Sequence, residues 1–334
     1  MNSNTNIKRK KDGYYFWVGV FFFILIGAGA LLWYSALQID YTWRWYMVPR
    51  YFVANVETEV KSEIEGDAVS VTQKGENTVI LVKGPDGSEE YIVPGNDIRI
   101  GEGDIIYAGD TLGVYKKWQA GILLQGLWLT MKVSIIAIVF GIVIGMFAGL
   151  ARVSANPALK WTSVTYIELI RGSPLLVQIF IWYFVLGTLI NTLLTKNGLP
   201  DLPPLWYGVA ALACFTGAYV AEMVRAGIQS IHRGQTEASR SLGMNYIQSM
   251  TYVILPQAML RILPPLAGQF ISLVKDSSLL GIIAIRELTK ATREVVTTSL
   301  QPFELWFVCA LLYLILTFSL SMFVQYLERR TLIQ

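Results

Sequence analysis

The sequence predicts an all-α polytopic membrane protein of six transmembrane helices, with a small β-rich insert held outside the bilayer. Three observations carry this reading. Of 334 residues, 54% are hydrophobic and 15% charged, and the mean hydropathy is +0.47, a balance outside the range of ordinary soluble domains. Apolar segments recur at 14–37, 125–150, 174–191, 205–228, 260–283 and 305–326. Five are long enough to cross a hydrocarbon core of about 30 Å at about 1.5 Å per residue; 260–283 carries Lys275 and Asp276 and is counted as the sixth because the topology then closes. Finally, charge is segregated. Residues 38–117 hold 8 of the 27 basic and 14 of the 24 acidic side chains, a net −6, which leaves +9 on the remainder.

A basic remainder threaded through apolar segments follows the positive-inside pattern and argues against nucleic-acid binding. Lys8, Arg9, Lys10 and Lys11 precede the first segment, so the N-terminus is expected in the cytoplasm and 38–117 outside. The loops with Arg152 and Lys160 and with Arg225, Arg233 and Arg240 then fall inside, as do Arg329, Arg330 and the C-terminus. One loop disagrees: Arg286, Lys290 and Arg293 land outside, beside Glu287 and Glu294. The first segment is longer than the apolar stretch of a signal peptide and is read as a retained anchor. Trp33, Tyr34, Trp43, Trp45, Tyr46 and Trp118 are read as interfacial anchors. Within 38–117, alternating residues flank Gly84, Pro85, Asp86 and Gly87, the pattern of a β-hairpin. The expected division is an N-terminal anchor (1–37), an acidic extracytoplasmic insert (38–117) and a transmembrane domain (118–334) containing a cytoplasmic loop at 229–257. Cys214 and Cys309 lie in apolar runs as small hydrophobes, and one histidine, His232, cannot build a metal centre. No catalytic or metal site is predicted.

The loop from residue 234 to 258 reads GQTEASRSLGMNYIQSMTYVILPQA. Thr236 is a plausible N-cap, Glu237 complements the helix dipole in the first turn, and Gly243 suits the left-handed residue that ends a helix. The small side chains Ala238, Ser239 and Ser241 leave a short helix whose backbone can approach a partner closely. Pro256 is expected to separate it from the next span. The spacing Glu237, Ala238, Ser239, three residues, Gly243, nine residues, Val253, one residue, Leu255 and Pro256 resembles the EAA loop of ABC-importer membrane subunits. Ser239 replaces the third Ala and Val253 the Ile. The chain has no G-x-x-x-x-G-K-[ST] stretch to cradle a nucleotide, so this chain is expected to need no cofactor of its own.

Residues 166–184, 215–238 and 268–283 resemble the polar amino-acid class of these permeases, the likeness covering about 117–330. The resemblance implies a five-helix importer core extended here by the N-terminal anchor, and a multi-pass place in a bacterial cytoplasmic membrane. It implies two partner ATPase subunits that bind ATP and magnesium, a second membrane subunit, identical or homologous, and an extracytoplasmic amino-acid-binding protein. Ser173 and Pro174 read as a helix start, with Arg171 at the cytoplasmic boundary. Glu222 and Arg225, spaced i,i+3, read as a structural or gating pair rather than a substrate contact. Gln269, Ser272 or Leu273, and Asp276 fall on one helix face. In relatives that carry cationic amino acids, the resemblance makes the positions of Gln269 and Asp276 both acidic. One carboxylate here suits an α-ammonium group, and a neutral Gln269 suits an amide or carboxyl side chain, so glutamine or glutamate is the expected cargo. The alternative role for Asp276 is a pair with a basic residue at the outer face. The alternative for the chain is a membrane sensor or scaffold whose outer domain recognises a ligand, which leaves the 237–256 spacing without a purpose.

Overall fold

The computed structural model describes residues 4–331 apart from Asp86 and Asn96, with side chains from 13 to 326. The charges of Lys8, Arg9, Lys10, Lys11, Arg329 and Arg330 and the turn position Asp86 lie outside the described side chains. The chain divides into two compact units, 1–46 and 47–334. The first is helix α1 (Asn4–Gln38), whose window Gly13–Gln38 exposes apolar side chains all round, as a lipid-facing helix does. Beyond it Trp43 stacks on Trp33 and on Trp45, with ring centroids 6.1 and 5.8 Å apart.

In the second unit, β1 (Val53–Lys61) and β6 (Thr111–Ala120) pair antiparallel from Val53 opposite Ala120, forming a two-stranded stalk. Between them lie β2 (Gly66–Lys74), β3 (Asn77–Gly84), β4 (Gly87–Pro94) and the short β5 (Ile105–Ile106), in a sheet of order β4-β3-β2-β5. The β3–β4 hairpin turns where the glycines and proline predict it, with Gly84 opposite Gly87. Alternate residues of these strands, Ala68, Ile80, Val82 and Val93, bury one face with Ile106 and Leu112, the period-2 pattern of a half-buried sheet. The stalk runs past residue 117 to Ala120, and only Gly121 separates it from the next helix.

The helical part follows as α2 (Ile122–Val153), α3 (Pro157–Arg171), α4 (Leu175–Phe180), α5 (Thr188–Lys196), α6 (Pro204–Gln229), α7 (Arg233–Ser241), α8 (Tyr246–Ser249), α9 (Leu255–Asp276), α10 (Leu288–Ser299) and α11 (Pro302–Thr331). Wider π turns at Ile181–Gly187 and Met250–Ile254 join α4 to α5 and α8 to α9. Among the described residues six helical stretches are long and apolar enough to cross a membrane. They coincide with the six predicted segments, except that the fifth in chain order, Tyr246–Ile283, starts well before residue 260.

Helices α2 and α6 pack most intimately, through a seam of small residues. A Cβ placed on Gly145 would stand 2.4 Å from Val220 Cβ, and one on Gly149 2.6 Å from Val224 Cβ, so only glycine permits this approach. The apolar window of α6 is 67% buried and that of α11 only 11%, which places α6 at the centre and α11 at the periphery. Ile138, Ile179, Leu212, Leu273 and Ile283 form the main core from α2, α4, α6 and α9 with its terminal 3-10 turn. Cys214 and Cys309 are free thiols, half-buried and buried.

Two expected helix boundaries are corrected. Ser173 does not cap α4: its hydroxyl donates back to Leu169 O at 2.9 Å, and Pro174 occupies the N-cap position without a side-chain bond. The turn is held instead by the buried amide of Gln178, which donates to Ile170 O at 2.7 Å and to Ser173 Oγ at 2.9 Å. Nor does Pro256 separate the loop from the span. The helix runs through it, because the π turn Met250–Ile254 directly upstream widens the backbone where the proline ring would crowd the preceding turn and where its N–H is missing. The break lies earlier, at residues 243–245.

Candidate functional site

The loop helix α7 is capped by His232, whose Nδ1 accepts from Gly234 N at 3.1 Å. Thr236, the expected cap, lies one turn inside the helix, where its carbonyl accepts from Ser239 Oγ at 2.8 Å. An imidazole with a free nitrogen serves the role of an Asn or Ser side chain, so the helix starts one turn sooner. Gly243 ends it in the left-handed region, φ +82°, with the N–H of Leu242 and of Gly243 bonded back to Ala238 and Arg240 carbonyls. Asn245 then opens α8 through a capping box with Gln248.

The motif residues take two directions. Glu237 and Ala238 are exposed, while Ser239 is buried, with its hydroxyl on that of Ser249. Val253 packs in the cluster of Val224, Ile254, Ala258 and Ile262, with Leu255 beside it, and Pro256 is exposed. The helix therefore presents a small exposed face and is anchored from behind. Beside Gly243, Leu242 is 79% exposed and Ile247 73%. These two apolar side chains were not singled out by the spacing, although a leucine directly before the terminating glycine is visible in the sequence.

In α9, Gln269, Ser272 and Asp276 are all half-buried, on one face, and none makes a hydrogen bond or ion pair among the described residues. Leu273 is fully buried in the main core, while Ser272 is half-buried like Gln269 and Asp276. The basic loop offers Asp276 no partner within ion-pair distance: Arg286 Nε instead lies 2.8 Å from Glu294 Oε2. Pro264 and Pro265 interrupt the α9 hydrogen bonding one turn before this face.

Glu222 and Arg225 do pair, Nε donating to Oε1 at 2.9 Å, and they belong to a larger cluster. The second Glu222 oxygen lies 2.8 Å from Arg152 Nη1, and Arg152 also reaches Glu168 at 3.8 Å. Arg171 lies over the Tyr219 ring at 5.3 Å, a cation–π contact. The pair was legible as an i,i+3 spacing; its tie to Arg152, seventy residues upstream, was not.

Glu287 is fully buried and caps α10, accepting from Thr289 N at 2.8 Å, Lys290 N at 2.7 Å and Tyr313 Oη at 3.0 Å. Burial pushes its carboxyl above the usual range, outweighing those hydrogen bonds, which act the other way. Among the described residues no cluster of His, Cys, Asp and Glu is arranged to hold a metal.

Residues 141–333 match the family model described as binding-protein-dependent transport system inner membrane component. Among curated proteins, the chain is 40% identical over 207 residues to the probable glutamine ABC transporter permease protein GlnM of Bacillus subtilis (strain 168), covering 62% of this chain and 92% of that one. It is 36% identical to the glutamine transport system permease protein GlnP of Escherichia coli (strain K12), over 63% and 92% of the two chains. It is 32% identical to the glutamate/aspartate import permease protein GltK of Escherichia coli O157:H7, over 63% and 93%. A solved amino acid ABC transporter with histidines superimposes with a TM-score of 0.54 at 37% identity, covering 63% of this chain and 94% of that one. The inward-facing MetNI methionine ABC transporter, at 21% identity and TM-score 0.52 over 63% and 95% of the chains, shares the fold. With its six apolar helices and a family match over more than half its length, the chain belongs to the binding-protein-dependent transport system inner membrane components, the permease subunits of ABC importers.

Proposed function

We propose that this permease subunit imports a neutral polar or acidic amino acid, with glutamine or glutamate foremost, across a bacterial cytoplasmic membrane. The observation that carries the cargo assignment is the α9 face. Asp276 sits in a membrane span with no ion-pair partner within 4.0 Å among the described residues, on the same face as Gln269 and Ser272. A lone carboxylate in a span is costly unless it serves a pathway or a ligand. It meets an α-ammonium group, and the neutral Gln269 and Ser272 leave room for an amide or carboxyl side chain where a second carboxylate would repel the latter. Relatives named for glutamine and for glutamate and aspartate point the same way.

Drive comes from outside the chain. The exposed Glu237–Ala238 face, flanked by Leu242, enters a groove on one of two ATPase subunits that bind ATP and magnesium, and Ser239 relays the displacement to the span through Ser249. A second membrane subunit completes the cavity, and a binding protein delivers the amino acid on the side of the β-rich insert, opposite the cytoplasmic termini. Nucleotide-driven approach of the two loops shifts the population between inward-open and outward-open states. The test is uptake of labelled glutamine, glutamate and arginine by vesicles bearing the intact importer. Glutamine or glutamate, not arginine, should accumulate, and Asp276→Ala should abolish it; undiminished uptake in that variant removes Asp276 from the binding site.

A further inference from the structure

The far ends of α2 and α6, with the start of α3 and of α8, line an open cavity of about 530 Å³. Three cations from separate stretches of chain line it: Arg152 at the end of α2, Lys160 in α3 and Arg225 in α6, joined by the phenol of Tyr246. No acidic side chain lines it among the described residues. Glu222 is shared by Arg152 and Arg225, and the other acid in reach, Glu168, is an exposed partner of Arg152 alone. Lys160 is exposed and makes no ion pair among the described residues. The cavity therefore keeps a positive charge that the protein does not neutralise. The rest of its lining is mixed: Ser154 and Gln229 are polar, and Val153, Val164, Ile228 and Met250 are apolar.

We propose that this cavity binds a phosphate group, presented by an anionic phospholipid or by a soluble phosphate. A guanidinium fork beside an ammonium matches the several acceptor oxygens of a phosphate. The place, where two spans end, is the depth of a lipid headgroup, and Val164, Ile228 and Met250 offer apolar surface to a glycerol and acyl stem. Tyr246 opens α8 three residues after Gly243, so an occupant braces the hinge of the coupling loop against α2 and α6. This site is independent of the α9 face and of the amino acid carried.

The intact importer in nanodiscs of phosphatidylcholine with or without phosphatidylglycerol provides the test, with retained lipid counted by native mass spectrometry. Wild type and Lys160→Arg should keep phosphatidylglycerol through delipidation. Lys160→Ala should weaken retention about fivefold and Lys160→Glu about 25-fold, from the usual contribution of a basic side chain at a membrane surface. Thermal stability in phosphatidylcholine should not change, because the Lys160 side chain is exposed. Displacement of phosphatidylglycerol by inorganic phosphate would make soluble phosphate a competing occupant, and retention without displacement would make the lipid the occupant. Equal retention of the two lipids, unaltered by Lys160→Glu and with no inorganic phosphate bound, overturns the proposal.

Discussion

The hydroxyls of Ser239 and Ser249 meet in a buried hydrogen bond, joining the middle of α7 to the last residue of α8, from which the helix continues into the fifth apolar span. The short helix is thereby fastened to the span, with a second tie where Gln257 Nε2 donates to Gln235 Oε1 at 3.3 Å. Replacing Ser249 with valine removes the bond and leaves Ser239 with the Thr236 carbonyl alone, at a stability cost of about 1 kcal/mol. The larger effect should fall on coupling: substrate-stimulated ATP hydrolysis should drop relative to basal hydrolysis, while Ser239→Ala, which takes the partner from the buried Ser249 hydroxyl, should cost more stability. Equal stimulation in wild type and Ser249→Val would make the contact a packing detail.

The glycine seam between α2 and α6 has no slack. Because an added Cβ at Gly145 would stand 2.4 Å from Val220 Cβ, Gly145→Ala should separate the helices or distort them, costing about 1–3 kcal/mol as overpacked cores do. Val220→Ala in the same chain should return part of that loss, since the two positions are in contact and their effects do not add. Thermal unfolding of the four variants in detergent gives the coupling directly; additive losses would show that the seam relaxes elsewhere.

What the sequence made legible is tied to long or strongly patterned signals. Length and apolarity marked five of the six spans and topological closure the sixth, and the pairing of Gly84 with Gly87 and the positive φ of Gly243 followed from residue types that favour those conformations. What stayed hidden depends on partners distant in sequence or on unusual local chemistry. His232 is not a typical capping residue, so α7 was read as starting a turn late. The passage of a helix through Pro256 depends on a π turn that no propensity encodes. In the candidate site, Gln269 and Asp276 were placed by helical periodicity, whereas Arg152 joined Glu222 only through the packing of α2 on α6.

Glu222 balances two guanidinium groups, so neutralising it leaves Arg152 and Arg225 facing each other. Glu222→Gln should destabilise the helical unit by about 1–2 kcal/mol, less than for a fully buried ion pair because solvent reaches the cluster. Arg152→Met added to Glu222→Gln should recover stability, since the stranded charge goes with it. If Tm falls further in the double variant, Arg152 is held chiefly by Glu168 and not by Glu222.

Glu287 supplies a pH dependence whose sign can be worked out. Its carboxyl in the folded protein is held above its value in the unfolded chain by burial, so the folded state retains the proton to higher pH. The resulting stabilisation is fully present below the ordinary carboxylate range and is lost as pH rises through the raised folded value. Tm should therefore decline as pH rises above the ordinary carboxylate range, as the buried carboxylate becomes charged. Glu287→Gln cannot titrate, and its single carbonyl oxygen replaces only one of the two oxygens that accept from Thr289 N and Lys290 N, so its Tm should be flatter over the same interval, from a lower starting value. A wild-type Tm that climbs with pH there, with the glutamine variant flat, would show that the hydrogen bonds at the head of α10 outweigh burial and hold the carboxylate charged.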